Sequence, residues 1–144
     1  MQQRRSSHSV YALQVHLVFS TKYRYKVLRG ELQERCRDLI VQTCDALDVR
    51  ILKGVVSADH VHLHVSYPTR LAVSDLVRRI KGRSARKLLA EYPTLKKRYW
   101  GGHFWGIGYG AWSTGEITDQ IVQEYLEHHR HQGGPNGREN FILE

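Results

Sequence analysis

The sequence predicts an α+β domain with a ferredoxin-like (RRM-like) split β-α-β fold, an antiparallel sheet with helices on one face. The chain has 144 residues, enough for one domain with its own core. Hydrophobic residues alternate with period two in some segments and recur at helical spacing in others. These segments follow one another as β-α-β-β-α-β-α, and the first six match the split β-α-β arrangement. One face of such a sheet stays open for polar residues.

The first half of the chain predicts a strand, a helix and a hairpin. Apolar side chains alternate from Val10 to Phe19, which predicts a strand with one apolar face. Apolar residues at helical spacing predict a helix from Gly30 to Leu47. The runs from Ile51 to Val56 and from Val61 to Tyr67 are the next strands, and the short turn between them predicts a hairpin.

The second half predicts two more helices and a fourth strand. Helical spacing runs from Val73 to Leu88, and an aromatic, glycine-containing strand follows from Phe104 to Trp112. A third helix, which would carry the catalytic residue, is expected from Glu116 to His131. A glycine-rich stretch comes next, so we expect one domain over residues 1–132 and a flexible tail over residues 133–144.

Composition favours a polyanionic partner. The formal net charge is +8, which suits nucleic acid better than a membrane. No apolar run reaches the roughly 18 residues of a membrane helix, and we expect no membrane partner. Cys36 and Cys44 lie too far apart on one predicted helix to bridge each other. Both are therefore expected to be reduced core residues, as in a cytoplasmic protein.

Three histidines alternate along the predicted third strand. His60, His62 and His64 project from one face, and two imidazoles at i and i+2 can hold a divalent metal. A solvent-exposed polar face explains the same pattern. His16 lies on the polar face of the first strand, which neighbours the third in this fold. His16 either supports the histidine row or contacts a DNA phosphate, or it is a structural histidine.

Tyr125 and His129 are one turn apart on the predicted third helix and share a face. Alone, they are explained by a core tyrosine and a surface histidine. With the histidine strand they suggest that a tyrosine oxygen attacks a phosphodiester. A phenol with a pKa of about 10 is a poor nucleophile at neutral pH and gains from a metal that holds the phosphate.

Three basic clusters interleave with aromatic residues. This pattern favours single-stranded or hairpin nucleic acid, with cations on phosphates and rings under bases. A solvated helix face is the usual explanation of one such cluster. The candidate nucleic-acid-binding residues are Lys22, Arg24, Arg78, Arg79, Lys81, Arg83 and Arg86.

These motifs, in this order, resemble the single-tyrosine HUH transposases of bacterial insertion sequences of the 200/605 type. The resemblance runs from about His8 to Gln132. Its main segments are Val15-His16-Leu17-Val18-Phe19, Ala58-Asp59-His60-Val61-His62-Leu63, Lys81-Gly82-Arg83-Ser84-Ala85-Arg86 and Tyr125-Leu126-Glu127-His128-His129.

The resemblance implies a role for each site residue. Tyr125 matches the nucleophile, and His60 and His62 match the metal pair. His129 stands where the family commonly has a glutamine ligand, so the third ligand here is imidazole. The cofactor would be a divalent metal, Mg²⁺ or Mn²⁺, and imidazole favours the softer Mn²⁺. His64 would be a neighbour of the site.

The resemblance also implies an activity and its partners. Tyr125 would link to a 5′-phosphate of single-stranded DNA hairpins at transposon ends, and strand exchange would excise or insert the element. The enzyme would be a homodimer with shared active sites, in the cytoplasm of a bacterium or archaeon. Three alternatives stay open: a relative that cuts chromosomal repeat hairpins, a non-cleaving nucleic-acid-binding module, and a histidine metalloenzyme acting on small molecules.

Overall fold

A five-stranded sheet organises the molecule. The structure, a computed structural model, describes residues 3–5, 8–113, 125 and 140–144. The helices are α1 (Glu31–Ala46), α2 (Val73–Glu91) and α3 (Pro93–Arg98). The strands are β1 (Arg4–Arg5), β2 (Val10–Tyr11), β3 (Gln14–Ser20), β4 (Arg50–Val56), β5 (His60–Ser66), β6 (Gly110–Trp112) and β7 (Phe141–Leu143).

The strand order of this sheet is β6-β3-β5-β4-β7. The first four of these strands pair antiparallel, and β7 runs parallel to β4. β3 pairs with β5 along its whole length, from Gln14 opposite Ser66 to Ser20 opposite His60. The first and third predicted strands are therefore adjacent, and the predicted ferredoxin-like α+β fold is confirmed.

The core lies between the sheet and the helices α1 and α2. Every second residue of β3 and β5 points into it because side chains alternate along a strand. The core residues on these strands are Val15, Leu17, Phe19, Val61, Leu63 and Val65. The helices add Leu39, Ile40, Leu76 and Ile80. The polar residues of both strands consequently occupy the other, open face of the sheet.

The fourth strand is shorter than predicted. Of the segment from Phe104 to Trp112, only the last three residues form β6. The Lys81 ammonium group donates hydrogen bonds to the carbonyl oxygens of Gly106 and Gly108, each at 2.9 Å. Gly108 has a φ of +83°, which interrupts an extended strand. The prediction is thus wrong for the first part of this segment, where a braced loop replaces the strand.

The chain end is part of the sheet. We predicted a flexible tail, but its described residues, Asn140 to Glu144, lie against β4. The Asn140 side-chain amide donates to the carbonyl oxygen of Ile51 at 2.8 Å. The Ser57 hydroxyl donates to the Glu144 carboxylate. An edge strand offers unpaired backbone groups, and β4 uses them to bind this segment.

The third predicted helix and its surroundings lie mostly outside the described residues. Tyr125 is described and is helical, whereas His129 and the rest of residues 114–139 are not described. The sequence did not predict α3 or the small β1–β2 hairpin. In that hairpin Arg4 forms an ion pair with Asp48, 2.9 Å between Nη2 and Oδ1.

Two expectations from composition can be compared with the structure. Cys36 and Cys44 are both free and fully buried on α1, as predicted. In the described part of the chain, no helix combines the length and the apolar character needed to cross a membrane.

Candidate active site and nucleic-acid interface

The histidines form a row on the open face of the sheet. The register of β3 and β5 places His16 opposite His64 and Val18 opposite His62. His16 Nδ1 lies 3.2 Å from His62 Nε2. The rings of His16 and His64 stack with their centroids 4.0 Å apart. His16 and His64 thus lie directly beside the predicted metal pair.

The surroundings of His16, His62 and His64 favour the neutral form of their imidazoles. Burial, together with repulsion from neighbouring histidines, lowers the pKa of His62 to about 3 and that of His16 to about 4. Burial also lowers the pKa of His64. A neutral imidazole keeps a lone pair available, which is the state that binds a metal ion.

His60 is oriented by a chain of two charged residues. Its Nδ1 lies 2.5 Å from Asp59 Oδ1, and Arg24 Nε lies 3.2 Å from Asp59 Oδ2. Burial alone would raise the pKa of Asp59, but the hydrogen bond with His60 and the nearby positive charges bring that pKa below its usual value. The carboxylate therefore fixes the His60 ring, as carboxylates do for metal-binding histidines.

The second ring nitrogen of His60 is available for a ligand. His60 Nε2 is buried and has no hydrogen-bond partner among the described residues. Within the described residues, no three His, Cys, Asp or Glu side chains cluster closely enough to hold a metal ion. The orphaned Nε2 of His60 and the imidazole of His62 are nitrogen donors of the kind that divalent metals bind. The third predicted ligand, His129, lies outside the described residues and stays a prediction.

Tyr125 lies on the same face as the histidines. Its side chain packs with Val18, the residue opposite His62, and meets the Trp112 ring edge to face at 5.5 Å between centroids. A Cβ atom at Gly110 would lie 2.8 Å from Tyr125 Cε1 and 2.5 Å from Trp112. Only glycine therefore leaves room for the tyrosine there. Burial raises the pKa of Tyr125, so its hydroxyl is protonated at neutral pH.

A groove on the helix side carries most of the predicted nucleic-acid-binding residues. It lies between α1 and α2 and has a volume of about 440 Å³. Because these helices cover the opposite side of the sheet, the groove and the histidine row face away from each other. The arginines that line it are Arg78, Arg79, Arg83 and Arg86.

The other predicted nucleic-acid-binding residues have different surroundings. Lys81 donates to loop carbonyl groups, and burial lowers the pKa of its ammonium group. Arg24 pairs with Asp59 beside His60. Lys22 lies in a separate cleft, with its Nζ 5.3 Å from the Tyr23 ring centroid. The seven predicted residues therefore do not form one surface.

Comparison with known proteins supports a family assignment. The family model described as IS200-like transposase matches residues 9–129. The chain belongs to the IS200-like transposase family. It is 36% identical over 118 residues to the ISDra2 transposase TnpA of Deinococcus radiodurans, covering 82% of this chain and 84% of that protein. It is 31% identical over 122 residues to the IS200 transposase of Salmonella typhimurium, covering 85% and 80%.

Solved structures agree with this transposase fold. A crystal structure of a Deinococcus radiodurans R1 protein, assigned as a transposase, superposes with a TM-score of 0.81 at 30% identity. That match covers 90% of this chain and 98% of the other. A REP-associated tyrosine transposase bound to a REP hairpin superposes with a TM-score of 0.54 at 15% identity, covering 88% and 76%. This second likeness concerns the fold alone. The family predicted from the sequence motifs is confirmed.

Sequence reasoning missed two contributors to the site. Asp59 directly precedes His60, and the usual pairing of a metal-binding histidine with a carboxylate is a signal that could have found it. The role of Gly110 depends on Tyr125 and Trp112 packing over it. No sequence pattern reports that contact.

Proposed function

We propose that this transposase cleaves and rejoins single-stranded DNA through a covalent bond between Tyr125 and a 5′-phosphate. One observation carries the proposal: Tyr125 packs on Val18, directly opposite His62, on the face that holds the histidine row. Tyr125 and the histidines thereby share one surface although they are far apart in sequence, which supports their proposed roles as nucleophile and metal ligands. His60, His62 and His129 would hold the divalent metal, Mg²⁺ or Mn²⁺.

Each residue of the proposed site has a separate role in the cleavage reaction. A divalent ion here would polarise the scissile phosphate and offset its developing charge. Asp59 keeps His60 in the tautomer that carries its proton on Nδ1 and leaves a lone pair on Nε2. The Tyr125 hydroxyl loses its proton as its oxygen bonds to phosphorus, and the bond from phosphorus to the 3′-oxygen breaks. The released 3′-oxygen takes up a proton. Rejoining reverses these steps, with a 3′-hydroxyl attacking the phosphotyrosine.

The α1–α2 groove is the proposed site for hairpin DNA. Arg78, Arg79 and Arg86 bring positive charge to this groove, and contacts between cations and phosphates supply most nonspecific affinity for DNA. A hairpin is bound in the REP-associated tyrosine transposase, whose fold this chain shares. We extend the proposal to a homodimer whose subunits share active sites, acting on hairpins at the ends of a transposable element.

The test uses labelled single-stranded DNA from the flanks of the gene. With Mn²⁺ or Mg²⁺, a denaturing gel should show a protein-linked band that vanishes with chelator and in Tyr125→Phe. Tyr109→Phe is a matched control, because it removes a partly exposed tyrosine hydroxyl close to β6. DNA that shifts on a native gel but never links to protein under either metal would leave a binding module in place of an enzyme.

A further inference from the structure

A second basic and aromatic surface lies apart from the α1–α2 groove. It is a cleft of about 160 Å³ between the turn Lys22–Arg24 and the segment that follows α3. The side chains that line it include Lys22, Tyr23, Arg98, Tyr99, Trp100 and His103. The cleft shares no lining residue with the groove, and it contains none of the residues assigned above to metal binding or nucleophilic attack.

Two aromatic rings of this cleft are exposed to solvent. Trp100 is 91% exposed and Tyr23 is 68% exposed, whereas Tyr99, which also lines the cleft, is 3% exposed. Large rings left in water next to a cleft mark a binding surface more often than a packing one. The site thus offers flat apolar faces to a ligand.

Two cations of the cleft, Lys22 and Arg98, lie against tyrosine rings. Lys22 Nζ lies 5.3 Å from the Tyr23 ring centroid, and the Arg98 guanidinium lies 4.1 Å over the Tyr25 ring. Among the residues lining the cleft there is no acidic side chain. Exposed rings beside unopposed cations are what a single nucleic-acid strand requires, since bases stack and phosphates pair with the cations.

The turn that displays Tyr23 has a strained backbone. Tyr23 and Arg24 have φ values of +61° and +55°, a left-handed conformation that non-glycine residues rarely adopt. Backbone hydrogen bonds hold it: the Lys22 N–H donates to Phe104 O at 2.8 Å, and the Arg24 N–H donates to Thr21 O at 3.0 Å. Strain that the surroundings maintain is found mainly at functional positions.

Thr21 and Arg24, at this turn, form a hydrogen bond and an ion pair with Asp59, the residue that orients His60. The Thr21 N–H donates to the Asp59 carbonyl oxygen at 2.9 Å, and the Arg24 side chain pairs with the Asp59 carboxylate. Asp59 in turn holds the His60 ring. Thr21, Arg24 and Asp59 therefore connect the turn that carries Tyr23 to His60.

We propose that the cleft binds an unpaired base of the single-stranded DNA next to the cleavage site, stacked on Trp100 and Tyr23. Lys22 and Arg98 would contact the phosphates of that strand. Paired bases within a duplex are already stacked, so the cleft selects unpaired DNA, whereas the α1–α2 groove takes the hairpin. The position beside a cleavage site rests on the proposed function, but the base binding itself needs no catalysis.

The experiment measures binding in a Tyr125→Phe background, so that no strand is cut. Labelled oligothymidylate and a blunt hairpin without unpaired flanks are titrated separately and followed by fluorescence anisotropy. Trp100→Ala and Tyr23→Ala should weaken oligothymidylate binding between about 5- and 100-fold and leave hairpin binding unchanged. Trp100→Phe should retain most of the affinity. Ile107→Ala is the control, because it removes a 99% exposed apolar side chain outside the cleft.

Three results would overturn the proposal. The first is unchanged oligothymidylate affinity in both alanine variants. The second is an equal loss for the blunt hairpin. The third is a change of oligomeric state on sedimentation, without a change in DNA affinity, which would make the cleft a protein contact. If oligothymidylate binding depends on Trp100 but the wild type forms no Tyr125-linked product, the cleft proposal stands and the proposed enzyme activity is rejected.

Discussion

The basic residues on the two sides of the sheet differ in charge and in exposure to solvent. On the open side, buried histidines have lost their charge, because desolvation lowers the pKa of His62 and His16. On the helix side, arginines such as Arg78 and Arg79 keep theirs in contact with water. A metal site needs neutral, oriented donors, whereas a phosphate-binding groove needs exposed charge. The net charge of the chain thus bears on the groove and says little about the histidine row.

Removing a proposed metal ligand should have the largest effect on catalysis and the smallest on hairpin binding. His60→Ala is expected to abolish the Tyr125-linked product, because it removes the buried Nε2 donor. Hairpin affinity should stay within about twofold of wild type, since the groove is on the other side of the sheet. Gel assays of linkage and anisotropy with hairpin DNA measure the two properties. A parallel loss of both would show that the sides are coupled.

Loosening the orientation of His60 should have a smaller effect. Asp59→Asn replaces the carboxylate that holds His60 Nδ1 and pairs with Arg24. We expect Mn²⁺ affinity, measured by calorimetry, to fall about 10- to 100-fold. Asp75→Asn is the matched control, because Asp75 forms an exposed ion pair with Arg78 far from the histidines. Equal Mn²⁺ affinity in both variants would argue against a role for Asp59.

Substitutions in the groove should weaken hairpin binding and leave metal binding unchanged. Arg79→Ala and Arg86→Ala are each expected to weaken hairpin binding several-fold and to reduce the salt slope by about one. Mn²⁺ affinity should not change, because neither residue lies on the histidine side. Titrations at a series of salt concentrations measure this slope. An unchanged slope in both variants would place the hairpin elsewhere on the molecule.

Gly82 lines the groove, and substituting it separates an effect on stability from an effect on hairpin binding. α2 continues through this residue, and an added Cβ would meet only the end of the Arg86 side chain, at 3.4 Å. Gly82→Ala should therefore raise the free energy of unfolding by about 0.5 to 1 kcal/mol, as measured by urea denaturation. If hairpin affinity falls in this more stable variant, the glycine serves close approach of a phosphate. If affinity is unchanged, it has no such role.

Local patterns were reliable where neighbours along the chain decide the outcome. Two-residue alternation predicted both β3 and β5, and with them the common face of His60, His62 and His64. Helical spacing predicted α1 and α2 within a few residues of their bounds. The segment from Phe104 was misread because its backbone carbonyl groups bind Lys81, which lies on another element.

Basic residues were the least predictable class. Lys81 and Arg83 look alike in sequence, yet Lys81 braces a loop and Arg83 lines the groove, where its guanidinium donates to Gln42 at 2.8 Å. The partner that decides each role comes from a distant segment. For the same reason the described end of the predicted tail could not be recognised as β7, whose partner β4 ends 85 residues before it begins.

The sequence by itself determined the order of the main elements β3, α1, β4, β5 and α2, the face on which the residues of β3 and β5 lie, and the family to which the chain belongs. These follow from local periodicity and from the identity of short motifs. Only the tertiary structure decided that burial lowers the pKa of His16, His62 and His64, that Tyr125 packs on Val18 on the histidine face, and that the arginine groove faces the other way. Burial and contact depend on segments brought together by folding, and no local pattern records which segments meet.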